Sequence, residues 1–195
     1  MKAKFARLEE LPLSAIQPAG WLKAFLETQA RGLTGHIEVA GYPFNTDGWM
    51  ERSSIKGSQE KWWPYEQTGY WVDGAIRCGH LLRDSRLIEK AFRQVRHVMG
   101  HADRSGYMGP GFMKKAGLNF RWPHAVFFRA MMAHYSATGD KKIIRAMRRH
   151  YLSLKPSAHA DGRNACNIEQ ILWLYGLTED RRLLRHAVGA YGQYN

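Results

Sequence analysis

The chain has 195 residues, of which 45% are hydrophobic and 24% charged, and its formal net charge is +12. This length suits one globular domain, covering residues 1–195, and seven tryptophans exclude a disordered chain. No stretch approaches the roughly 20 apolar residues that a membrane span needs, and two cysteines, Cys78 and Cys166, are too few for a disulfide framework or a four-cysteine zinc site.

The N-terminal segment, residues 1–17, is expected to be extended and to lead into a helix over residues 20–33. The segment begins with basic residues but lacks the apolar core of about 7–15 residues that a classical secretory signal contains. We therefore expect no such signal in this chain, which leaves open whether the protein lies in the cytoplasm or the periplasm of a bacterium.

Helical periodicity dominates from about residue 70 onward, and no segment alternates with a period of two. Three segments share one plan, an apolar helix, a short turn and a second helix with a basic face, and they cover residues 70–99, 124–152 and 167–191. Asp84, Asp140 and Asp180 lie in the turns where the second helix needs an N-cap, because a short acceptor side chain satisfies its free N–H groups. The sequence predicts an all-α fold of repeated helical hairpins.

The connections between the hairpins are long and rich in Gly, Pro and aromatic residues, and they cover residues 35–65, 100–123 and 153–166. In an up-down array, alternate connections lie at the same end, so these loops should share one rim with the starts of the first helices. Loops held on a rigid scaffold often carry function. The predicted rim residues are Trp62, Trp63, Tyr65, Glu66, Tyr107, Trp122, His124, Asn164, Asn167 and Glu169.

Nearly all of the excess positive charge lies on the second helix of each hairpin. Residues 86–97, 141–149 and 181–185 contain twelve Lys and Arg and one acidic residue, Glu89. Such a surface suits a polyanion, but a charge run is more often a solvated face, and no nucleic-acid-binding motif accompanies it. We expect neither a nucleic acid nor a membrane as a partner.

Five segments carry a resemblance to a known family. They are PAGWLKAFLETQARGLTGHI (18–37), WWPYEQTGYWVDG (62–74), GYMGP (106–110), YSATGD (135–140) and NIEQILWLYGLTED (167–180). In this order and spacing they resemble bacterial beta-L-arabinofuranosidase-like proteins, glycoside hydrolase family 127 and its relatives. The resemblance implies an (α/α)6 toroid of the six-hairpin glycosidase type with a sugar cleft at one end, and hydrolysis of plant or host glycans. The three hairpins would form about half of that toroid, its N-terminal part.

The resemblance does not supply catalytic residues. Characterised members of that family use a zinc-bound cysteine nucleophile with further cysteines and a glutamate, in the later part of the toroid. Cys78 lies here in a predicted helix and Cys166 is isolated, and the histidines lack metal-ligand spacing. We therefore carry over no zinc ligand and no nucleophile, expect no metal or other cofactor, and expect the chain to hold only part of the sugar cleft. Whether it is active alone stays open.

Candidate catalytic residues follow from the chemistry of glycoside hydrolysis, which generally needs two carboxyl groups. Glu66 lies among aromatic residues that can raise its pKa towards the range of a general acid, and Glu169 occupies the matching place on the third hairpin. Each has a structural alternative, because acidic side chains also stabilise helix starts through the macrodipole. Asp73 is either a further cleft acid or an ordinary helix acid.

The candidate substrate-binding residues are polar or aromatic. Asn164 and Asn167 suit sugar hydroxyls, although Asn167 also suits an N-cap, and His124 is expected to reach the rim because it follows Trp-Pro at a helix start. Stacking platforms for sugar rings, or alternatively core residues, are expected at Trp62, Trp63, Tyr107 and Trp122, and Tyr65 is expected as a further substrate-binding residue of the rim.

Two other functions stay open: a sugar epimerase or lyase of the same fold that uses His and Tyr, and a non-catalytic module that binds a glycan or a polyanion. A half toroid would expose apolar helix flanks, since stacked repeats need neighbours. We therefore expect self-association through the terminal helices, with Leu184, Val188, Tyr191 and Trp173 as the exposed residues.

Overall fold

The computed structural model describes residues 10–50, 62–115 and 121–193, and all regular structure within these ranges is helical. The predicted all-α fold of repeated helical hairpins is confirmed. The α-helices are α1 (Gly20–Arg31), α2 (Trp63–Leu82), α3 (Ser85–Gly100), α4 (Gly111–Lys115), α5 (Trp122–Thr138), α6 (Lys141–Leu152), α7 (Asn167–Thr178) and α8 (Arg181–Gln193). Short 3-10 helices cover Leu13–Ala15, Ile37–Ala40, Gly48–Met50, Pro156–His159 and Gly162–Cys166.

The three predicted hairpins are α2–α3, α5–α6 and α7–α8, and an aspartate caps the second helix of each. The carboxylate of Asp84 accepts hydrogen bonds from the backbone N–H groups of Arg86 and Leu87, both at 3.0 Å. Asp140 accepts a hydrogen bond from the backbone N–H of Lys142 at 2.9 Å, and Asp180 accepts one from the backbone N–H of Arg182 at 3.0 Å. These bonds satisfy amide groups that have no partner inside the helix.

A left-handed residue before each aspartate reverses the chain. Its φ angle is 56° at Arg83, 70° at Gly139 and 54° at Glu179. In the second and third turns, the hydroxyl group of Thr138 or Thr178 also accepts a bond from the aspartate N–H, at 3.2 and 3.4 Å respectively. The same local chemistry therefore stops one helix and starts the next.

The helices form two layers around one core. The first helices of the hairpins, α2, α5 and α7, are largely apolar, whereas α3, α6 and α8 are amphipathic and bury one face. Large, fully buried side chains come from both layers and include Ile76, Phe127, Phe128, Met131, Ile143, Met147, Tyr151 and Ile171. The layers thus place the charged second helices outside and the apolar first helices inside.

Helices α2 and α5 approach each other closely at Gly69. A Cβ atom at this position would lie 3.2 Å from Cγ1 of Val126 and 3.4 Å from the backbone N of Phe127. The missing side chain lets the two helices meet at backbone distance. This contact aligns the starts of α2 and α5, which bear the site described below.

The segment before α1 packs against the array through one side chain. Leu13, in the Leu13–Ala15 turn, is buried, and its N–H donates to the hydroxyl of Ser136 at 3.1 Å. The backbone is extended at Pro12 and Ile16, on either side of this turn. The expected extended segment at 1–17 is thus interrupted at residues 13–15, and its first nine residues lie outside the described ranges. The expected helix at 20–33 is α1.

Both terminal helices expose large apolar side chains. Trp21 on α1 is 81% exposed, and Val188 and Tyr191 on α8 are 62% and 64% exposed. Leu184 and Trp173 are half-buried. These surfaces have the apolar character of interfaces between elements. No helix in the described part of the chain has the length and apolarity to cross a bilayer.

Candidate functional site

The starts of α2 and α5 meet through two tryptophans from different hairpins. The rings of Trp62 and Trp122 lie 4.9 Å apart between centroids, at an interplanar angle of 59°. A proline occupies the first turn of each helix, at Pro64 and Pro123, where its missing N–H costs no helical hydrogen bond. The Trp-rich sequence before each helix therefore becomes one aromatic wall.

Asn164, from the loop before α7, caps the start of α5. Its Oδ1 accepts hydrogen bonds from the backbone N–H groups of Arg121 at 2.7 Å and Trp122 at 3.2 Å. Asn167, at the start of α7, donates through Nδ2 to the carbonyl of Arg121 at 2.9 Å, and its Oδ1 accepts from the hydroxyl of Tyr151 at 3.0 Å. These buried bonds join the starts of α5 and α7.

The starts of α2, α5 and α7 thus lie at one end of the array, which we call the rim. Its partly or fully exposed groups include Trp62, Glu66, Arg163 and Glu169. The guanidinium of Arg163 lies over both tryptophan rings, 5.7 Å from the centroid of Trp62 and 5.6 Å from that of Trp122. The rim combines an aromatic wall, a cation and two carboxyl groups.

The two predicted catalytic carboxyl groups have different surroundings. Burial raises the pKa of Glu66, and the positive charge of Arg163 and the Trp122 indole partly offset this effect. Glu169 is exposed on the first turn of α7, and its Oε2 lies 3.4 Å from Nε2 of Gln170. Glu66 has the environment of a carboxyl group that holds its proton to higher pH, and Glu169 is open to solvent.

Of the predicted substrate-binding residues, Trp122 is buried within the aromatic wall, with 9% exposed, and five others are buried behind the rim. At most 2% of each residue is exposed for Tyr65, Tyr107, His124, Asn164 and Asn167. The hydroxyl of Tyr107, for example, donates to the carbonyl of Pro110 at 3.3 Å. In this structure they support the rim.

His124 was expected to reach the rim, but its imidazole is buried. The loop before α5 folds over the imidazole, and Nε2 donates to the carbonyl of Met108 at 2.9 Å. Trp49 contacts the ring edge-on, with centroids 5.1 Å apart. Trp49 comes from the long 35–65 connection, which the sequence analysis had assigned to the loops, and its burial closes the core below the rim.

Asp73 lies away from the rim. It is seven residues beyond Glu66 on α2, which corresponds to roughly 10 Å along the helix axis. Its carboxylate pairs with Arg77 at 2.7 Å and Arg129 at 3.6 Å and is largely buried. Asp73 is therefore not a further cleft acid. It forms an ion pair that joins α2 to α5.

Trp63 faces a different neighbour from Trp62. Its ring stacks on Tyr42 with centroids 5.8 Å apart and an interplanar angle of 22°, and it is half-buried. Successive residues of a helix point in different directions, so only one tryptophan of the pair can join Trp122. Trp63 extends the aromatic surface towards the 35–50 segment.

Arg121 is a buried cation that was not predicted from the sequence as a site residue. It is 6% exposed, and its guanidinium donates to the hydroxyl of Tyr107 at 3.4 Å and to the carbonyl of Lys114 at 3.3 Å. Within the described ranges, no carboxylate oxygen lies within 4.0 Å of the Arg121 guanidinium. A buried charge without a charged partner is uncommon and gives this end of the array a positive field.

A groove with a volume of about 630 Å³ lies towards the turn end of the first helices. Its lining includes Arg77, Tyr135, Ser136 and Trp173. Arg77 is already paired with Asp73, and the groove wall contains no pair of carboxyl groups suited to acid–base chemistry. Size alone favours this groove, but the chemical groups favour the rim.

The basic second helices are partly neutralised. Arg96 pairs with Glu89 at 2.7 Å, Lys90 with Glu38 at 2.7 Å, and Asp180 with both Arg148 and Arg182. Other cations on these helices, such as Arg145 on α6, are exposed. This distribution is typical of a solvated outer face.

Comparison with known proteins finds no match to a family model, a curated protein or a solved structure. Within the described ranges, no group of three or more His, Cys, Asp or Glu side chains is placed to hold a metal ion. Cys78 is buried and Cys166 exposed, and both are free thiols. The rim residues themselves therefore carry the functional argument.

Proposed function

We propose that the chain is part of a carbohydrate-active glycoside hydrolase, resembling beta-L-arabinofuranosidase-like proteins, and that its rim forms part of a glycan cleft. The observation that carries this proposal is the Trp62–Trp122 wall, assembled from two hairpins beside Glu66. The C–H groups on one face of a sugar ring pack against an aromatic face, while its hydroxyl groups need polar partners at the edges. The rim offers both kinds of contact.

The resemblance adds the larger architecture to this proposal. The three hairpins have inner apolar and outer amphipathic helices, the arrangement expected for about half of an (α/α)6 toroid. Loop ends of the inner helices are where such a ring would hold its substrate. Under this proposal the substrate is a plant or host oligosaccharide.

The proposed chemistry assigns the two carboxyl groups different roles. Glu66, which holds its proton more tightly than an ordinary glutamate, donates that proton to the glycosidic oxygen as the bond to the anomeric carbon breaks. Glu169, as a carboxylate, takes a proton from the attacking water, whose oxygen forms the new bond to the anomeric carbon. One water molecule is consumed and two free sugars are released.

Hydrolysis assays of three variants test the proposal. The substrates are a panel of plant-derived oligosaccharides, and the variants are Trp62→Ala, Glu66→Gln and, as a control far from the rim, Trp21→Ala. Removing the acid should lower turnover by about 10²–10⁴-fold, removing the wall should raise KM, and the control should change neither. Unchanged kinetics in both rim variants would exclude the rim as the site.

Product analysis in H₂¹⁸O separates the alternatives. Hydrolysis incorporates the labelled oxygen into the released sugar, whereas a lyase forms an unsaturated product without it, and an epimerase leaves the glycosidic bond intact. A chain that only binds polyanions through its outer helices would show no turnover and a steep loss of affinity with salt.

A further inference from the structure

We propose that the glycan site at the rim is specific for an acidic sugar, and that Arg163 binds the carboxylate of a uronic acid residue. This inference rests on the proposed function, because it names the substrate class of the same site. It comes from a cation that the catalytic chemistry above does not use.

The guanidinium of Arg163 is held by aromatic rings rather than by an acid. It lies 5.7 and 5.6 Å from the centroids of Trp62 and Trp122. Five arginines of the described ranges, Arg77, Arg96, Arg129, Arg148 and Arg182, have carboxylate partners, whereas Arg163 is among those that have none. A guanidinium over an aromatic face keeps the N–H groups at its edges available for a ligand.

Glu66 is a carboxyl group whose pKa is influenced by the charge of Arg163. The positive charge of Arg163 lowers the pKa of Glu66, although the nitrogen atoms of Arg163 lie more than 4.0 Å from the carboxyl oxygens of Glu66. The guanidinium has five N–H donors. The charge of Arg163 therefore acts on Glu66 over a longer distance than an ion pair, and Glu66 does not occupy the N–H donors of Arg163.

The backbone at Arg163 is fixed by its neighbour. Arg163 lies in the 3-10 helix Gly162–Cys166, and the next residue, Asn164, is buried and binds two backbone N–H groups at the start of α5. Because this backbone is already ordered, binding a ligand does not have to order it. The position of Arg163 over the aromatic wall is thus set before a ligand arrives.

A second cation, Arg121, lies at the same end of the array. Arg121, whose backbone N–H binds Asn164, is buried without a described carboxylate partner, and a charge in a low-dielectric region acts strongly on nearby groups. A carboxylate on a sugar bound at the rim can accept two parallel charge-assisted bonds from one edge of the Arg163 guanidinium. A neutral sugar offers only hydroxyl groups to the same donors.

The test compares binding of two matched pools of oligosaccharides. One pool consists of pectic oligosaccharides with free carboxylates, and the other is the same material after reduction of each carboxyl group to a primary alcohol. Titrations followed by tryptophan fluorescence give the affinity of each pool for the chain. We expect the acidic pool to bind about tenfold more tightly or better, which corresponds to one bidentate charged contact.

Three variants assign this difference to Arg163. Arg163→Ala should abolish the preference for the acidic pool and leave binding of the reduced pool within about twofold. Arg163→Lys keeps the charge but not the two parallel bonds, so it should lose most of the preference. Arg145→Ala removes the same charge from the outer face of α6 and should change neither affinity.

Each other outcome overturns the inference in a recognisable way. If both pools bind equally and Arg163→Ala changes neither, the acidic specificity is wrong and the glycan site stands. If neither pool binds, both proposals fail. If Arg145→Ala weakens acidic binding as much as Arg163→Ala does, the preference reflects overall charge and not this site. Circular dichroism of each variant confirms that the helices are intact.

Discussion

His124 and His150 bind the two backbone polar groups of one residue, Met108. Nε2 of His124 lies 2.9 Å from the carbonyl oxygen of Met108, and Nδ1 of His150 lies 2.9 Å from the backbone N of the same residue. A carbonyl only accepts and an amide N–H only donates, so Nε2 of His124 carries a proton and Nδ1 of His150 does not. The geometry requires His150 to be neutral, and it fixes the loop that covers the start of α5.

The first prediction is that acid destabilises the fold before its carboxylates titrate. Burial lowers the pKa of His124 to about 3 and that of His159 to about 3, and lowers the pKa of His150 well below its usual value. An unfolded histidine titrates near pH 6.5, at about its unperturbed pKa. Between about pH 6.5 and 3 the unfolded chain therefore binds more protons, so the free energy of unfolding should fall as the pH falls.

Urea unfolding at pH 7, 6 and 5 measures this dependence. Each such histidine contributes a slope of at most about 1.4 kcal/mol per pH unit. His124→Gln keeps a donor for the Met108 carbonyl but removes one titrating group, so its slope should be shallower. His36→Gln, at an exposed position, should leave the slope unchanged. Equal slopes in the parent chain and His124→Gln would contradict the assignment.

The second prediction concerns the three helix caps. Asp140→Ala should lower the free energy of unfolding by about 1 kcal/mol, the usual cost of losing an N-cap. Asp180→Ala should cost more, because this carboxylate also pairs with Arg148 at 2.6 Å and with Arg182 at 2.9 Å. Urea unfolding of both variants gives the comparison, and a smaller effect at Asp180 would argue that these ion pairs contribute nothing.

The caps also show which features are readable from the sequence. Asp84, Asp140 and Asp180 were predicted as caps because an N-cap depends on the residue and the next few positions. The boundaries of the hairpins follow from the same local chemistry and from the apolar period. These features need no knowledge of what packs against them, and the structure contains them as expected.

The candidate site depends on contacts between distant parts of the chain. His124 was expected at the rim, yet it is covered by a loop whose path its own sequence does not specify. Arg163 was not selected, because its role depends on Trp62 and Trp122, which belong to two other hairpins. A basic residue beside Asn164 in a rim loop was the available signal, and a cation over an aromatic wall emerges only after folding.

The third prediction tests the close contact between α2 and α5. Gly69→Val places methyl groups where even a Cβ would lie 3.2 Å from Val126 and 3.4 Å from Phe127, so it should cost about 1–3 kcal/mol of stability through overpacking. Gly74→Val, on the same helix with open space around its Cβ position, is the matched control. It should be neutral or slightly stabilising, since glycine is a poor helix former.

Urea unfolding of the two valine variants decides between local and packing effects. Because both substitutions replace glycine by valine inside α2, helix propensity is the same in each. A similar stability for Gly69→Val and Gly74→Val would mean that the two helices separate at no cost. The position of the aromatic wall would then not depend on this contact.

The last prediction is that the terminal helices mediate self-association. Trp21 on α1 and Tyr191 on α8 are 81% and 64% exposed. Phe25 is in the i, i+4 position relative to Trp21, and Val188 and Tyr191 are in an i, i+3 pair, so the side chains of each pair are neighbours. Contiguous exposed apolar side chains usually mark an interface. Sedimentation velocity should show a weight-average mass that rises with concentration.

Replacing Val188 and Tyr191 together by glutamate should abolish most of the rise, since a charge opposes burial of that face. Val39→Glu, at another exposed apolar position, should leave it unchanged. A monomer at every concentration would show that these faces stay in water.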